Sequence, residues 1–133
     1  LVDDKKENLF ALENLLRTDG INVNYILCNS GEEALKIAIK GKIALIMLDV
    51  QMPGMDGYEV ARLLKESSVT ENIPIIFVTA NDSEIDNVVE GFKLGAIDFL
   101  FKPLNPAITK AKVQAFIKIY QKNELLNSAK KEL

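Results

Sequence analysis

Five polar side chains stand out because each lies where an apolar run stops. Asp3 and Asp4 follow Leu1 and Val2. Asp49 ends the run in "ALIMLDVQMPGMDG" (44 to 57), Thr79 ends "IPIIFVT", and Lys102 follows "AIDFLF". Three carboxylates brought together repel one another and raise at least one pKa unless a cation joins them. A hard divalent ion is the natural companion, and Mg2+ suits best, since it takes oxygen ligands and is commonly held by one or two carboxylates plus a phosphate. On that reading Asp4 and Asp49 hold the ion, Lys102 pairs with a phosphate oxygen, and the Thr79 hydroxyl hydrogen-bonds another. Asp49 is then left to act as a nucleophile and form an aspartyl phosphate, with the ion and the lysine screening the developing charge.

Composition removes most competing chemistries. The 133 residues contain no histidine, which excludes a Ser-His-Asp triad, imidazole acid/base catalysis and His metal ligands. Cys28 is the single cysteine, so an internal disulfide or a cysteine zinc cluster is impossible, in keeping with a reducing cytoplasm. A net charge of -3 gives no general attraction for nucleic acid or anionic lipid, and no apolar run approaches a membrane span. With 48% hydrophobic residues, the chain fits one domain with a real core. It opens on Leu1 rather than Met, which points to residues ahead of it.

The elements that must position these side chains are strands and helices in alternation. "NVNYILC" (22 to 28), "KIALIMLD" (42 to 49), "IPIIFVT" (73 to 79) and "AIDFLF" (96 to 101) read as strands. Between them run helical stripes: Leu9, Leu12, Leu15 and Leu16; then Ala34, Leu35, Ala38 and Ile39; then Val60, Ala61 and Leu64. A fourth helix is expected over 83 to 94, with Ile85, Val88, Val89 and Phe92 inward and Gly95 as its stop. Near-continuous apolar strands separated by crossover helices predict a parallel sheet covered on both faces, a doubly wound three-layer α/β domain. The first strand has only Leu1 and Val2 before Asp3, so it reads as truncated at its N-terminus. In such a sheet the ligand crevice lies outside the carboxyl ends of the strands, where all five residues fall.

Each residue also has an ordinary reading. Taken alone, Asp4 with Glu7 three positions on resembles a capping box, and capping is slightly favoured. Thr79 is a good strand residue, and Lys102 can snorkel out of the sheet. Asp49 is harder to dismiss, since a turn acid needs no place at the mouth of a buried strand. Phe99 reads as core, and Cys28 as a small buried apolar residue.

The motifs "LVDD", "LIMLDVQMPGMDG", "FVTA" and "GAIDFLFKP", in this order and each after its own strand, give the chain from Leu1 to about Tyr120 a family resemblance. It resembles the receiver domain of two-component response regulators, which implies a flavodoxin-like (βα)5 fold with strand order 2-1-3-4-5. The resemblance implies that Asp49 is the phosphoacceptor, that Asp3 and Asp4 form an acidic pair, and that the backbone carbonyl of Gln51 completes the protein's share of the Mg2+ shell. It implies a switch in which Thr79 moves toward the phosphate and Phe99 swings inward. The surface of the fourth helix, fifth strand and fifth helix changes in consequence, and a homodimer could form there. It also implies a cis Lys102-Pro103 bond, a small Ala80, and variable side chains at Gln51 and Asn81 beside the phosphate. The implied partners are a histidine kinase or phosphotransfer protein and a downstream output domain. Neither direct nucleic-acid binding nor membrane insertion is implied. The protein would be a cytoplasmic switch that catalyses only its own phosphorylation and dephosphorylation.

Two other classes share parts of this plan. A flavodoxin-type cofactor binder wants a phosphate-cradling loop after the first strand, where "DDKKEN" offers acids and no glycine. An aspartyl-phosphate phosphatase usually carries a second acid two residues after its nucleophile, where this chain has Gln51. From Pro106 the sequence reads as one helix running past the sheet. Residues 121 to 133 form an extension, either a solvated tail or a signalling helix leading to an output domain.

Overall fold

The computed structural model describes residues 1–17, 23–80, 89, 93, 95 and 98–132. Three apolar runs pair as parallel strands: β1 (Ile46–Asp49), β2 (Ile75–Thr79) and β3 (Asp98–Phe101), in the order β1-β2-β3. Ile46 lies opposite Ile75, and Phe77 opposite Phe99. Val2 adds a position on the other side of β1. It bridges Leu48 and Cys28 in parallel, so the spatial sequence is Cys28, Val2, β1, β2, β3, the expected 2-1-3-4-5 order.

Four helices flank this sheet among the described residues: α1 (Lys6–Leu16), α2 (Gly31–Ile39), α3 (Gly57–Lys65) and α4 (Pro106–Glu132). Because successive strand residues point to opposite faces, the core divides in two. Leu48, Ile75, Phe77 and Phe99 pack with Ala34 and Ala38 of α2 and Val60 and Leu64 of α3. Met47, Ile76, Val78 and Leu100 pack with Leu16 of α1 and Val113 and Ile117 of α4. All nine residues of β1 and β2 are buried, as a central parallel strand requires.

Local sequence sets the helix starts. Ser30 accepts a hydrogen bond from the Glu33 N–H at 3.2 Å and Asp56 one from Glu59 at 2.9 Å. Asn105 does the same for Ile108 at 3.0 Å, with Pro106 in the first helical position where its missing N–H costs nothing. Asp4 does not cap α1, contrary to the capping-box reading. Lys5 takes that place with no side-chain cap, and the Lys5 N–H goes instead to Asp3 Oδ1 at 2.9 Å.

Several boundaries also move. Pairing in the run 22 to 28 is confined to a bridge at Cys28, since a parallel strand needs a neighbour and only Leu1, Val2 and Asp3 lie beside it. Asn22 falls outside the described residues. The next strand starts at Ile46 rather than Lys42, because Gly41 and Lys42 both turn through positive φ (89° and 62°) and break the extended chain. The fourth helix falls outside the described residues except at Val89 and Lys93, both helical. Val89 is 47% exposed rather than inward.

Candidate functional site

The acids converge at the carboxyl ends of the central strands. β1 delivers Asp49 and the bridge at Val2 delivers Asp3 and Asp4, because Asp49 N–H donates to the Val2 carbonyl at 2.9 Å and fixes the register between them. One carboxylate oxygen from each of Asp3, Asp4 and Asp49 lies within 4.8 Å of the others. Opposite ligands of an octahedral ion bound at about 2.1 Å stand about 4.2 Å apart, so this donor set suits a small hard divalent cation with little adjustment. Asp3 and Asp49 are buried and Asp4 is half-buried, which leaves the cluster open on the Asp4 side.

Lys102 supplies the one positive charge found at this cluster among the described residues. Its Nζ lies 3.5 Å from Asp3 Oδ2 and 3.8 Å from Asp49 Oδ1, tying the two buried acids together. The Lys102 N–H donates to the Thr79 carbonyl at 2.8 Å, which continues the β2–β3 ladder past Phe101, and the Lys102-Pro103 bond is cis, as expected. Thr79 is buried at the end of β2, one strand over from Asp49.

Asp49 is electrostatically loaded. Burial, then the neighbouring Asp3 carboxylate and more weakly Asp4, push its pKa up to about 6, against the pull of Lys102 and a backbone hydrogen bond from Gln51. A buried acid with excess negative charge beside it favours whatever cation can enter. Gln51 thus sits beside Asp49 as expected, with its side chain exposed. Phe99 is not at the mouth. Its ring lies inward in the core, 5.3 Å from that of Phe77 and 6.2 Å from that of Phe101. Ala80 is exposed next to Thr79, and Asn81 lies outside the described residues.

One contributor shows only in three dimensions. Gly57 opens α3 with its N–H on the Val50 carbonyl at 2.9 Å, and a Cβ there would collide with the Asp49 carbonyl oxygen. In the sequence Gly57 is only the last residue of "MPGMDG"; its role is to let α3 approach the backbone that carries Asp49.

The family model for the response regulator receiver domain matches residues 1–114. The chain belongs to this family. It is a receiver domain of two-component response regulators, with the flavodoxin-like fold of the chemotaxis regulators. The receiver is 38% identical over 125 residues to the transcriptional regulatory protein YvrH of Bacillus subtilis, covering 93% of this chain and 51% of that protein. It is 37% identical over 115 residues to the response regulator PleD of Caulobacter vibrioides, covering 86% of this chain and 25% of that protein. The chain therefore spans about half, or less, of the length of these relatives. The receiver domain of a Pseudomonas aeruginosa sensor histidine kinase, solved with a magnesium ion coordinated in its active-site cleft, superposes with a TM-score of 0.75 at 29% identity, covering 88% of this chain and 93% of that one. No described helix is long and apolar enough to cross a membrane.

Proposed function

We propose that this receiver accepts a phosphoryl group on Asp49 from a histidine kinase or phosphotransfer protein, with Mg2+ held by Asp3, Asp4, Asp49 and the Gln51 backbone carbonyl. The observation that carries this is the convergence of three carboxylates and Lys102 on one strand-end cleft, with the Asp49 pKa raised to about 6. The divalent ion supplies charge neutralisation for the carboxylates and the phosphoryl oxygens. In the transfer, an Asp49 carboxylate oxygen bonds to phosphorus while the P–N bond to the donor imidazole breaks and its electron pair returns to nitrogen. Lys102 gives up part of its contact with Asp3 to pair with a phosphoryl oxygen, and the Thr79 hydroxyl donates to another.

The new dianionic group favours the conformation that brings Thr79 and Lys102 closest to it. That change passes to Phe99 and to the β3–α4 edge, where Phe101 and Ile108 are exposed; a homodimer or an output domain would read it there. The domain's own catalysis is limited to gaining and losing this phosphoryl group. It works in the cytoplasm as a switch, and any contact with DNA belongs to an output domain reached through residues 121–133.

Incubation with acetyl phosphate and magnesium, followed by intact-mass and peptide analysis, tests this. One phosphoryl adduct on Asp49, absent in Asp49→Asn and without magnesium, is the expected result. Equal labelling of the two proteins would overturn the assignment.

A further inference from the structure

Beside the acids, between α1 and the sheet, lies a cavity of about 270 Å3. Voids in protein interiors are seldom much larger than a water molecule, and one of about 150 Å3 with aliphatic walls already admits benzene. Leu9, Leu12 and Leu15, spaced three apart along α1, form one wall. Met47 of β1 and Val78 of β2 form the other, and Leu104 completes the apolar lining. The exposed residues Ala11 and Pro103 also border it, so it opens to solvent between α1 and the turn after β3.

The polar end of the cavity is Asp3, Asp49 and Lys102, and it is short of positive charge. Asp3 and Asp49 are each more than nine-tenths buried, and Asp4 brings a third carboxylate within 4.8 Å of theirs. Lys102 reaches the two buried acids at 3.5 and 3.8 Å, beyond the roughly 2.7–2.9 Å of a well-formed ammonium–carboxylate hydrogen bond. Among the described residues, neither buried acid therefore has a close cationic partner. Excess negative charge repels an anionic head group, and apolar walls give a hydrated ion nothing to bind. The complementary guest is a monocation that carries its own apolar tail.

We propose that this cavity binds a primary ammonium compound with an apolar tail of about six carbons, the head donating to Asp3 and Asp49 and the tail lying between α1 and the sheet. The three N–H donors of an ammonium suit two adjacent carboxylates. The head takes oxygens that Mg2+ needs, so the compound and the ion exclude each other, and the compound inhibits phosphorylation. That inhibition rests on Asp49 being the phosphoacceptor; the binding does not.

Calorimetry and amide NMR on the 133-residue chain test this with n-hexylamine, methylamine and hexanoate at neutral pH. Hexylamine is expected to bind at least about 30-fold more tightly than methylamine, since each fully buried methylene adds about fourfold. It should also shift the amides of Leu12, Leu15 and Leu104. Hexanoate, with a like tail and the opposite charge, should not bind. Ala11→Phe, at an exposed position on the rim, should weaken hexylamine about tenfold by taking the space of roughly two methylenes. Added Mg2+ should weaken it too, and saturating hexylamine should suppress labelling of Asp49 from acetyl phosphate. Equal affinity for the two amines, binding of hexanoate as tight as that of hexylamine, or hexylamine binding that neither Ala11→Phe nor Mg2+ weakens would each overturn the proposal. A failure of acetyl phosphate to label Asp49 without any amine would instead sink the phosphoacceptor reading alone, because the binding is measured on unphosphorylated protein.

Discussion

Asp49 is held at a cost that its surroundings make measurable. Its pKa rises from the ordinary 3.8 to about 6 on folding, through burial first and Asp3 second. Between those values the folded protein binds more protons than the unfolded chain, so stability falls as pH rises through that window and levels off above it. Urea titrations in chelator should follow that slope. Asp49→Asn should abolish the slope and stabilise the metal-free protein at pH 7 by roughly 1–3 kcal/mol. Lys102 works in the opposite direction, 3.5 Å from Asp3 and 3.8 Å from Asp49. Lys102→Ala should raise the Asp49 midpoint further, seen by carboxyl NMR, and slow labelling from acetyl phosphate by about 10²-fold. These residues were legible in the sequence because each closes an apolar run. The ordinary reading of Asp4 as a helix cap failed because Lys5 holds the N-cap position, Asp3 accepts from the Lys5 N–H, and the Asp4 carboxylate joins the acidic cluster.

Elements deliver these side chains with a precision that depends on close backbone approach. Gly57 lets α3 start against the β1 exit loop; Gly57→Ala should destabilise by about 1–3 kcal/mol, as overpacking does, while its midpoint in urea falls without a change in slope. The strand cores were readable from apolar runs, since Ile46–Asp49, Ile75–Thr79 and Asp98–Phe101 all fall inside the expected spans. The beginnings of the earlier runs were not. An apolar pattern says that a residue is buried, but pairing needs a partner and permissible dihedrals. Val23 and Tyr25 pack against a core without pairing, and Lys42 turns through φ 62°. The role of Gly57 was not legible, because the atom a side chain there would strike belongs to another element.

For the whole molecule, the division of α4 into a buried and an exposed part matters most. Val113 and Ile117 pack against Leu16 and the sheet, whereas side chains 121–128 are exposed, with Leu125 at 72% and Leu126 at 54%. Removing residues 121–133 should therefore change unfolding free energy by no more than about 0.5 kcal/mol, whereas ending the chain before Val113 should prevent cooperative folding; calorimetry distinguishes the two. The doubly wound plan was legible because strand and helix periods alternate, but no residue of this chain names an output, and the match covers 51% of YvrH and 25% of PleD. The account rests on one electrostatic claim, that the crowded acids are relieved by a shared divalent cation. The most direct measurement is a carboxyl NMR titration of Asp49 with chelator and with millimolar magnesium. A midpoint near 6 that falls well below that value when magnesium is added is the predicted result. A midpoint that magnesium leaves unmoved would contradict it.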